Sequence, residues 1–459
     1  MKSKNISNSL FLIISSILPV ILLSGNEHSL VSIIVLTFFL GSLTYLYATR
    51  NYSFLFAVVI TANHVIYFSG AGLSRLTLFI IVFFVLMLFC LLEKPPNTKL
   101  FFITVSLVTV YILFLIVLKP NIIRVDWYML YIETGLFFVF TQFVPWDIQK
   151  IKQVFLLHLL FIIVYGFFEF FITGALRIKG PMQSATAFGV VIVILWATWI
   201  SIELLSKKPS LLLASAVTIP VIFIMIRTGT RMSFVGFAFT SMLIVVSKIN
   251  TMSITFGKKI WLALSTNISL LLILVAVWVI LPENLIIKSG FDSMIKGEID
   301  VSNMGRIVAW VVAAKAFMAH PLFGIGNGNF AEFMRTYFSE INLSAYNSNF
   351  FVLPHAHNMP LTILSENGII GFIISATLII ICIYSVVVKL RISKDNRLYG
   401  LLIGLSVTLF LGMFDSIPYF PSTQVWGAWF LAVLIQFETD TSETGKRDLF
   451  QSTTIKQEL

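Results

Sequence analysis

The sequence predicts an all-α, polytopic membrane protein with about 12–14 transmembrane helices and a helical loop on one side of the membrane. Three observations predict this fold. The chain has 459 residues and is 58% hydrophobic but only 11% charged, which is more apolar surface than a soluble domain of this size buries. Its Leu, Ile, Val and Phe residues recur in about fourteen blocks of roughly 17–22 residues, the length that a helix needs to cross a bilayer. The blocks are apolar on every face, whereas strands of a β-barrel alternate.

Basic residues in the loops predict how the chain is oriented in the membrane. Lysines and arginines fall in alternate loops, at residues 2–4, 94–99, 150–152, 207–208, 258–259 and 389–397. Because cytoplasmic loops carry the excess of lysine and arginine, both termini are expected on the cytoplasmic side. The formal net charge of +10 then reflects contacts with anionic lipid headgroups, and nucleic acid is not expected as a partner.

This topology divides the chain into four parts. They are an N-terminal transmembrane bundle over residues 1–281, a helical loop on the outer side over 282–357, C-terminal transmembrane helices over 358–437, and a cytoplasmic tail over 438–459. Within the loop, residues 306–318 have the composition of a helix, which Ser302 and Asn303 cap and His320 with Pro321 ends. We expect this helix to lie at the outer interface and to cover the membrane domain like a lid.

Six basic side chains are expected on the outer side, against the usual charge bias. They are Arg124, Arg177, Lys179, Arg227, Arg231 and Arg306. Arg227 and Arg231 bracket a tight turn through Gly229 between two apolar segments. One interpretation is that these side chains reach lipid phosphates along their own apolar stems. The other interpretation, which their expected convergence with His357 favours, is that the guanidinium groups bind a pyrophosphate.

Four carboxylates lie inside or at the ends of predicted spans, where a charge needs a partner. They are Glu133, Glu169, Glu366 and Asp415. Pairing with the arginines is the favoured, structural interpretation, and a proton relay is the functional alternative.

A pair of histidines precedes one of the predicted spans. His355 and His357 are followed by Asn358, a residue suited to cap a helix, and by Pro360 in the first helical turn. The positive end of the helix dipole and nearby cations disfavour imidazolium, so His357 is expected to stay neutral and to accept a proton. The alternative is that both histidines merely line the helix entry. Two such histidines also suit a metal, but no cysteine or carboxylate set joins them in the sequence, so no metal is expected.

A glycine-rich segment at residues 324–330 has the composition of a nucleotide-binding loop. It follows a predicted helix and not a strand, and it lies on the outer side, which excludes a dinucleotide-binding fingerprint. We expect instead a tight turn after Pro321 that places Asn327 and Asn329 near hydroxyl groups of a substrate.

Four segments together resemble the O-antigen ligase and polymerase superfamily of bacterial polysaccharide assembly. Residues 177–181 resemble its Arg-x-x-Gly element, and residues 228–231 resemble its Thr-Gly-Ser-Arg turn with Thr in place of Ser. Arg306 and residues 320–326 resemble the body of its large periplasmic loop. Residues 357–371 contain His-Asn, nine residues and then Gly-x-x-Gly, which matches the ligase signature at full spacing.

The resemblance implies an inverting, metal-independent glycosyltransferase with a GT-C-like membrane fold and no cofactor. The donor would be a glycan on undecaprenyl pyrophosphate, at the periplasmic face of the bacterial inner membrane. His357 would deprotonate the acceptor hydroxyl. The pyrophosphate and the substrates would be bound by the remaining candidate residues, which are Arg231, Arg306, Arg177, Arg227, His355 and Asn358.

Two activities of this superfamily remain open from the sequence. A ligase transfers the glycan to lipid A-core, and the motif spacing favours it. A polymerase transfers the glycan to another lipid-linked repeat unit, which would suit a span count above that of a ligase. A transporter or flippase for an anionic lipid or polysaccharide is the alternative without chemistry. It would spread charges through the depth of the membrane, whereas the basic residues here cluster at the outer face.

Overall fold

The computed structural model describes the following parts of the chain: residues 41–68, 72–94, 99, 101–103, 105–106, 109–110, 125–175, 177–180, 184–250, 252–280, 301–340, 352–393, 395–415 and 421–436. Every secondary-structure element in these parts is a helix, as the sequence predicts. The helices are α1 Tyr52–Phe68, α2 Gly72–Leu92, α3 Val125–Thr141, α4 Ile148–Thr173, α5 Ala185–Leu204, α6 Leu211–Thr228, α7 Arg231–Asn250, α8 Phe256–Ile280, α9 Val301–Ala319, α10 Phe330–Glu340, α11 Met359–Ser393, α12 Leu398–Gly412 and α13 Pro421–Gln436.

Several of these helices have the length and composition of membrane spans. Among the described residues, five are long and apolar enough to cross a membrane, namely α4, α5, α6, α7 and α11. Helix α12 is apolar but shorter. The fold class, an all-α polytopic membrane protein, is thus confirmed. The first of the apolar blocks, which the sequence places at residues 9–25, lies outside the described residues, as do Arg124 and the side chain of Glu133.

Helix α5 is the central helix and is buried along almost its whole length. It packs against α4, α6, α7 and α12. The contact with α12 is close because two glycines four residues apart face it. A Cβ on Gly404 would lie 2.1 Å from Thr198 Oγ1, and one on Gly400 would lie 2.6 Å from the backbone nitrogen of Ile202. Small residues at this spacing let two membrane helices approach closely, which fixes where the end of α12 lies relative to α5.

The two ends of the bundle carry different charges. At one end, which we call the lysine end, Lys152 forms an ion pair with the buried Glu203, and Lys248 donates to the carbonyl of Leu204. At the opposite, arginine end, Arg177 donates to the carbonyl of Thr228. Lys152, which the sequence predicts on the cytoplasmic side, and Lys248 therefore lie at one end of the bundle, and Arg177 lies at the other.

The loop between α8 and α11 is helical where the structure describes it. Helix α9 ends at Ala319, directly before His320 and Pro321, as predicted. It already includes Ser302 and Asn303, so the helix begins before the predicted cap. Helix α9 packs against α11 and α10. The amphipathic α10 buries Phe330 and Met334 against α9.

Helix α11 is not the single continuous span that the sequence predicts. Gly368 has φ 64° and ψ −167°, so the helix is broken into residues 359–367 and 369–393. The peptide groups freed by the break bind the segment after α9: the N–H of Ile325 donates to the carbonyl of Ser365 (2.9 Å), and that of Ile369 donates to the carbonyl of Pro321 (2.8 Å). A Cβ on Gly368 would lie 2.3 Å from the carbonyl oxygen of Leu322, so only glycine fits.

Candidate functional site

The site begins with a hydrogen-bonded pair. His357 Nδ1 lies 3.1 Å from Asp415 Oδ1. The Asp415 side chain is 1% exposed and that of His357 is 21% exposed, so the carboxylate lies beneath an imidazole that solvent reaches. His357 has φ 48°, in the left-handed region, although it is not glycine. Such a backbone is strained by about 1–2 kcal/mol, and residues held in this way concentrate at functional sites.

Asn358 fixes the two segments that carry this pair. Its Oδ1 accepts the N–H of Leu361 at 3.0 Å, so Asn358 caps α11 as predicted. Its Nδ2 donates to the carbonyl of Met413 at 2.8 Å. One amide thus ties the residue after His357 to the segment just before Asp415.

His355 lies behind His357 and not at the surface. It is 6% exposed, and the two rings are 4.3 Å apart between centroids. His355 Nδ1 accepts the backbone N–H of His357 at 3.3 Å. Burial, with a smaller contribution from the charge of His357, lowers the pKa of His355 to about 3. His355 is therefore neutral at physiological pH.

The Asp415 carboxyl group is ionised although it is buried. Burial alone raises its pKa, but the hydrogen bond from His357, the charge of that ring when it is protonated, and a smaller contribution from Arg306 outweigh burial and lower the pKa below its ordinary value. Arg306 on α9 is thus close enough to act on the pair electrostatically. The donor atoms of His355, His357 and Asp415 all lie within 4.8 Å of one another. The inference from sequence that no carboxylate joins the histidines is wrong, since Asp415 does.

Three of the predicted arginines meet at one corner of the arginine end. Gly229, with φ 64°, ends α6, and α7 begins at Arg231. The segment after α4 docks onto this turn, because Arg177 Nε donates to the carbonyl of Thr228 (2.8 Å) and the N–H of Ile178 donates to that of Arg227 (3.1 Å).

One of these arginines has an aromatic partner. The guanidinium of Arg227 lies 4.4 Å from the ring centre of Phe170, an arrangement that stabilises the cation beside an apolar surface.

This corner and the histidine pair lie at the same end of the bundle. The first half of α7 packs against the last turns of α12: a Cβ on Gly236 would lie 3.0 Å from Leu411, and the rings of Phe239 and Phe410 stack at 4.3 Å. Arg231 begins α7, and Asp415 follows α12 by a few residues. Helix geometry therefore places both beyond this contact, in the same direction.

The other predicted polar residues bind the backbone. Glu169 accepts the N–H groups of Lys179 and Gly180 at 3.0 and 2.7 Å, which holds the segment that carries Arg177. Glu366 is fully buried and accepts the N–H of Phe330, the first residue of α10, at 3.3 Å.

The asparagines of the glycine-rich segment do not both face outward. Asn329 donates to the carbonyl of Ile325 at 2.7 Å, and Asn327 is buried. The Asn329 contact stabilises the turn within the segment, and placement of the two asparagines near substrate hydroxyls stays a prediction.

Fold and site together define a multi-pass, all-α membrane protein with an Asp–His pair and several arginines at one end of its bundle. Residues 215–376 match the family model described as O-antigen ligase. Over these residues, the resemblance to the O-antigen ligase and polymerase superfamily is confirmed. Members of the family are enzymes that act on glycans, and their substrates are in general lipid-linked glycans. A search of curated proteins found no matching sequence.

The matched segment contains Arg227, Arg231, Arg306 and His357 but not Asp415 or Arg177, which lie beyond its two ends. In the sequence, Asp415 is distinguished only as a carboxylate at the end of a predicted span. The need of such a charge for a partner is the signal in the sequence that pointed to its contact with His357.

Proposed function

We propose that the protein is an inverting, metal-independent glycosyltransferase that moves an O-antigen glycan from undecaprenyl pyrophosphate to lipid A-core. It would act at the periplasmic face of the bacterial inner membrane, as an O-antigen ligase. The observation that carries this proposal is the hydrogen bond between His357 and the ionised Asp415, on the side of the bundle where the arginines gather.

His357 is the proposed catalytic base. When its Nδ1–H donates to Asp415, the lone pair of the neutral ring is on Nε2, which is the arrangement that a general base requires. Nε2 takes the proton of the acceptor hydroxyl while the hydroxyl oxygen bonds to the anomeric carbon. The bond between that carbon and the pyrophosphate oxygen breaks on the opposite face, so the configuration inverts. Asp415 does not take the proton; it holds the ring and stabilises the imidazolium that forms.

The arginines are the proposed site for the departing pyrophosphate. Arg231 stands at the first position of α7, where the positive end of the helix dipole attracts an anion. Helix N-termini bind phosphate readily, and guanidinium groups match phosphate oxygens with paired donors. Arg177, Arg227 and Arg306 would add to this charge. His355 accepts the backbone N–H of His357, and Asn358 follows His357 in the chain and binds the carbonyl of Met413. Both would therefore act through His357.

A polysaccharide polymerase would need the same base and the same pyrophosphate site. Transfer to another lipid-linked repeat unit therefore stays the alternative activity. A transporter without chemistry needs no oriented imidazole. The pair of His357 and Asp415 therefore favours an enzyme over a transporter or flippase.

The test is lipopolysaccharide banding in a strain that lacks the chromosomal gene and carries the wild-type chain or a variant. We expect the His357→Ala variant to leave the core uncapped, while lipid-linked polymer accumulates. His320→Ala is the matched control, because His320 is exposed and outside the site, and it should restore banding. Core that bears a single repeat unit in the deletion strain would indicate a polymerase. Normal banding with His357→Ala would overturn the proposed chemistry.

A further inference from the structure

The cluster of His355, His357 and Asp415 also has the composition of a transition-metal site. We propose that it binds a divalent first-row metal ion such as Zn²⁺, and that the bound ion inhibits glycan transfer. The binding half of this inference stands by itself, and the inhibitory half rests on the proposed function. The metal is thus an inhibitor and not a cofactor.

The geometry needs little change to accept a metal. Zinc bound tetrahedrally, at about 2.0–2.2 Å from nitrogen and oxygen, keeps its ligand atoms about 3.3 Å apart. His357 Nδ1 and Asp415 Oδ1 are already 3.1 Å apart, so the ion takes the place of the shared proton. The His355 nitrogen lies within 4.8 Å of both, a gap that a side-chain rotation of about 1–2 Å closes.

The chemistry of the three groups selects the ion. Two imidazoles and one carboxylate suit zinc and its neighbours, whereas Mg²⁺ and Ca²⁺ prefer oxygen ligands alone. The partly exposed His357 leaves a way in for the ion and room for water as a fourth ligand.

Asn358 prepares the site for the ion. It ties the two segments that carry the ligands, because its Oδ1 caps α11 and its Nδ2 binds the carbonyl of Met413. Hydrogen bonds from neighbouring residues that hold metal ligands in position commonly increase the affinity of a metal site.

Inhibition follows because a metal on one nitrogen of the His357 ring changes the protonation of the other. A neutral imidazole has a single lone pair, and the other nitrogen carries the proton. When Nδ1 of His357 binds the metal, Nε2 must carry the proton and can only donate. The nitrogen proposed to deprotonate the acceptor is then no longer a base. The ion also neutralises Asp415, so the ring loses its orienting partner.

The binding test uses the full-length chain in detergent, without glycan, and follows Zn²⁺ with a fluorescent chelator as competitor. To remove thiol ligands, the chain carries Cys90→Ser and Cys382→Ser. We expect one equivalent of Zn²⁺ with micromolar affinity or tighter, and no competition from Mg²⁺. His355→Ala and Asp415→Asn should each weaken binding at least tenfold, whereas His320→Ala should not. Zinc should raise the melting temperature of the parent chain but not of the two cluster variants. A cooperative melting transition of each variant also shows that it folds.

Absence of stoichiometric binding, or equal affinity in parent and cluster variants, overturns the site. The second arm measures transfer with and without micromolar Zn²⁺ and then after a chelator. We expect a fall of at least tenfold that the chelator reverses. Binding without any fall in turnover overturns the inhibitory role. A chain that binds zinc in this way but never transfers glycan contradicts the proposed function and leaves the metal site standing.

Discussion

The side chains of His357 and Asp415 lie 3.1 Å apart although 58 residues separate them in the chain. Asp415 reaches this position because α12 packs tightly on α5 through Gly400 and Gly404, and because Asn358 binds the segment just before it. The pair is therefore held from both sides by contacts that do not involve substrate. The proposed base is thus held in position before substrate binds, so it need not reorganise during the reaction.

Asp415→Asn tests the role of the carboxylate. The amide stabilises neither the imidazolium nor the required tautomer, so we expect kcat to fall about 10²–10⁴-fold while the donor still binds. Single-turnover rates at saturating donor, together with donor affinity, measure the two effects. Asp395→Asn is the matched control, since that carboxylate pairs with Arg397 beside the start of α12, at the lysine end. A kcat within about threefold of wild type would rule out Asp415 as the orienting group.

Acid should destabilise the protein partly through His355. Its folded pKa of about 3 lies below the ordinary value of 6.5, so the unfolded chain binds the proton more readily. The stability that neutral His355 contributes is complete above pH 6.5 and is lost as the pH falls from 6.5 towards 3, by at most about 1.4 kcal/mol per pH unit.

We expect His355→Gln to flatten this decline. The measurement is the melting temperature in detergent at several pH values between 4 and 7, with His320→Gln as control. Asp415 does not interfere with the comparison of melting temperatures. Because its pKa is lowered, the stability that its carboxylate contributes is lost only in more acidic solutions. A variant that loses stability with acid as steeply as the parent would show that His355 is not buried as described.

Gly368→Ala should disrupt the contact between the break in α11 and the segment that follows α9. The backbone of Gly368 lies in a region open only to glycine, and a Cβ would lie 2.3 Å from the carbonyl oxygen of Leu322. We expect a loss of about 2–4 kcal/mol, or failure to fold. Gly257→Ala is the control, because a Cβ there meets nothing within 4 Å. Thermal unfolding and hydrogen exchange at residues 321–326 measure the effect, and an unchanged exchange pattern would contradict the described break.

Local features of this protein were predictable from the sequence, and long-range ones were not. The end of α9 before His320 and the cap at Asn358 depend on residues within one helical turn, so the sequence alone predicts them. The break in α11 requires the segment at residues 321–326, about 45 residues earlier, to supply its missing hydrogen bonds. The link between His357 and Asp415 likewise depends on how α12 packs, which no local pattern records.

Arg231→Lys tests whether the arginine end binds pyrophosphate through paired donors. Lysine keeps the charge but replaces the planar fork with a point donor, so we expect kcat/KM for the lipid-linked donor to fall about 10–100-fold, mainly through weaker binding of the departing group. Arg335→Lys is the control, since that exposed side chain pairs only with Glu332 on the surface of α10 in the described structure. Inorganic pyrophosphate should inhibit the wild type more strongly than the Arg231 variant. Equal inhibition of both would mean that Arg231 contacts membrane phosphates and not the substrate.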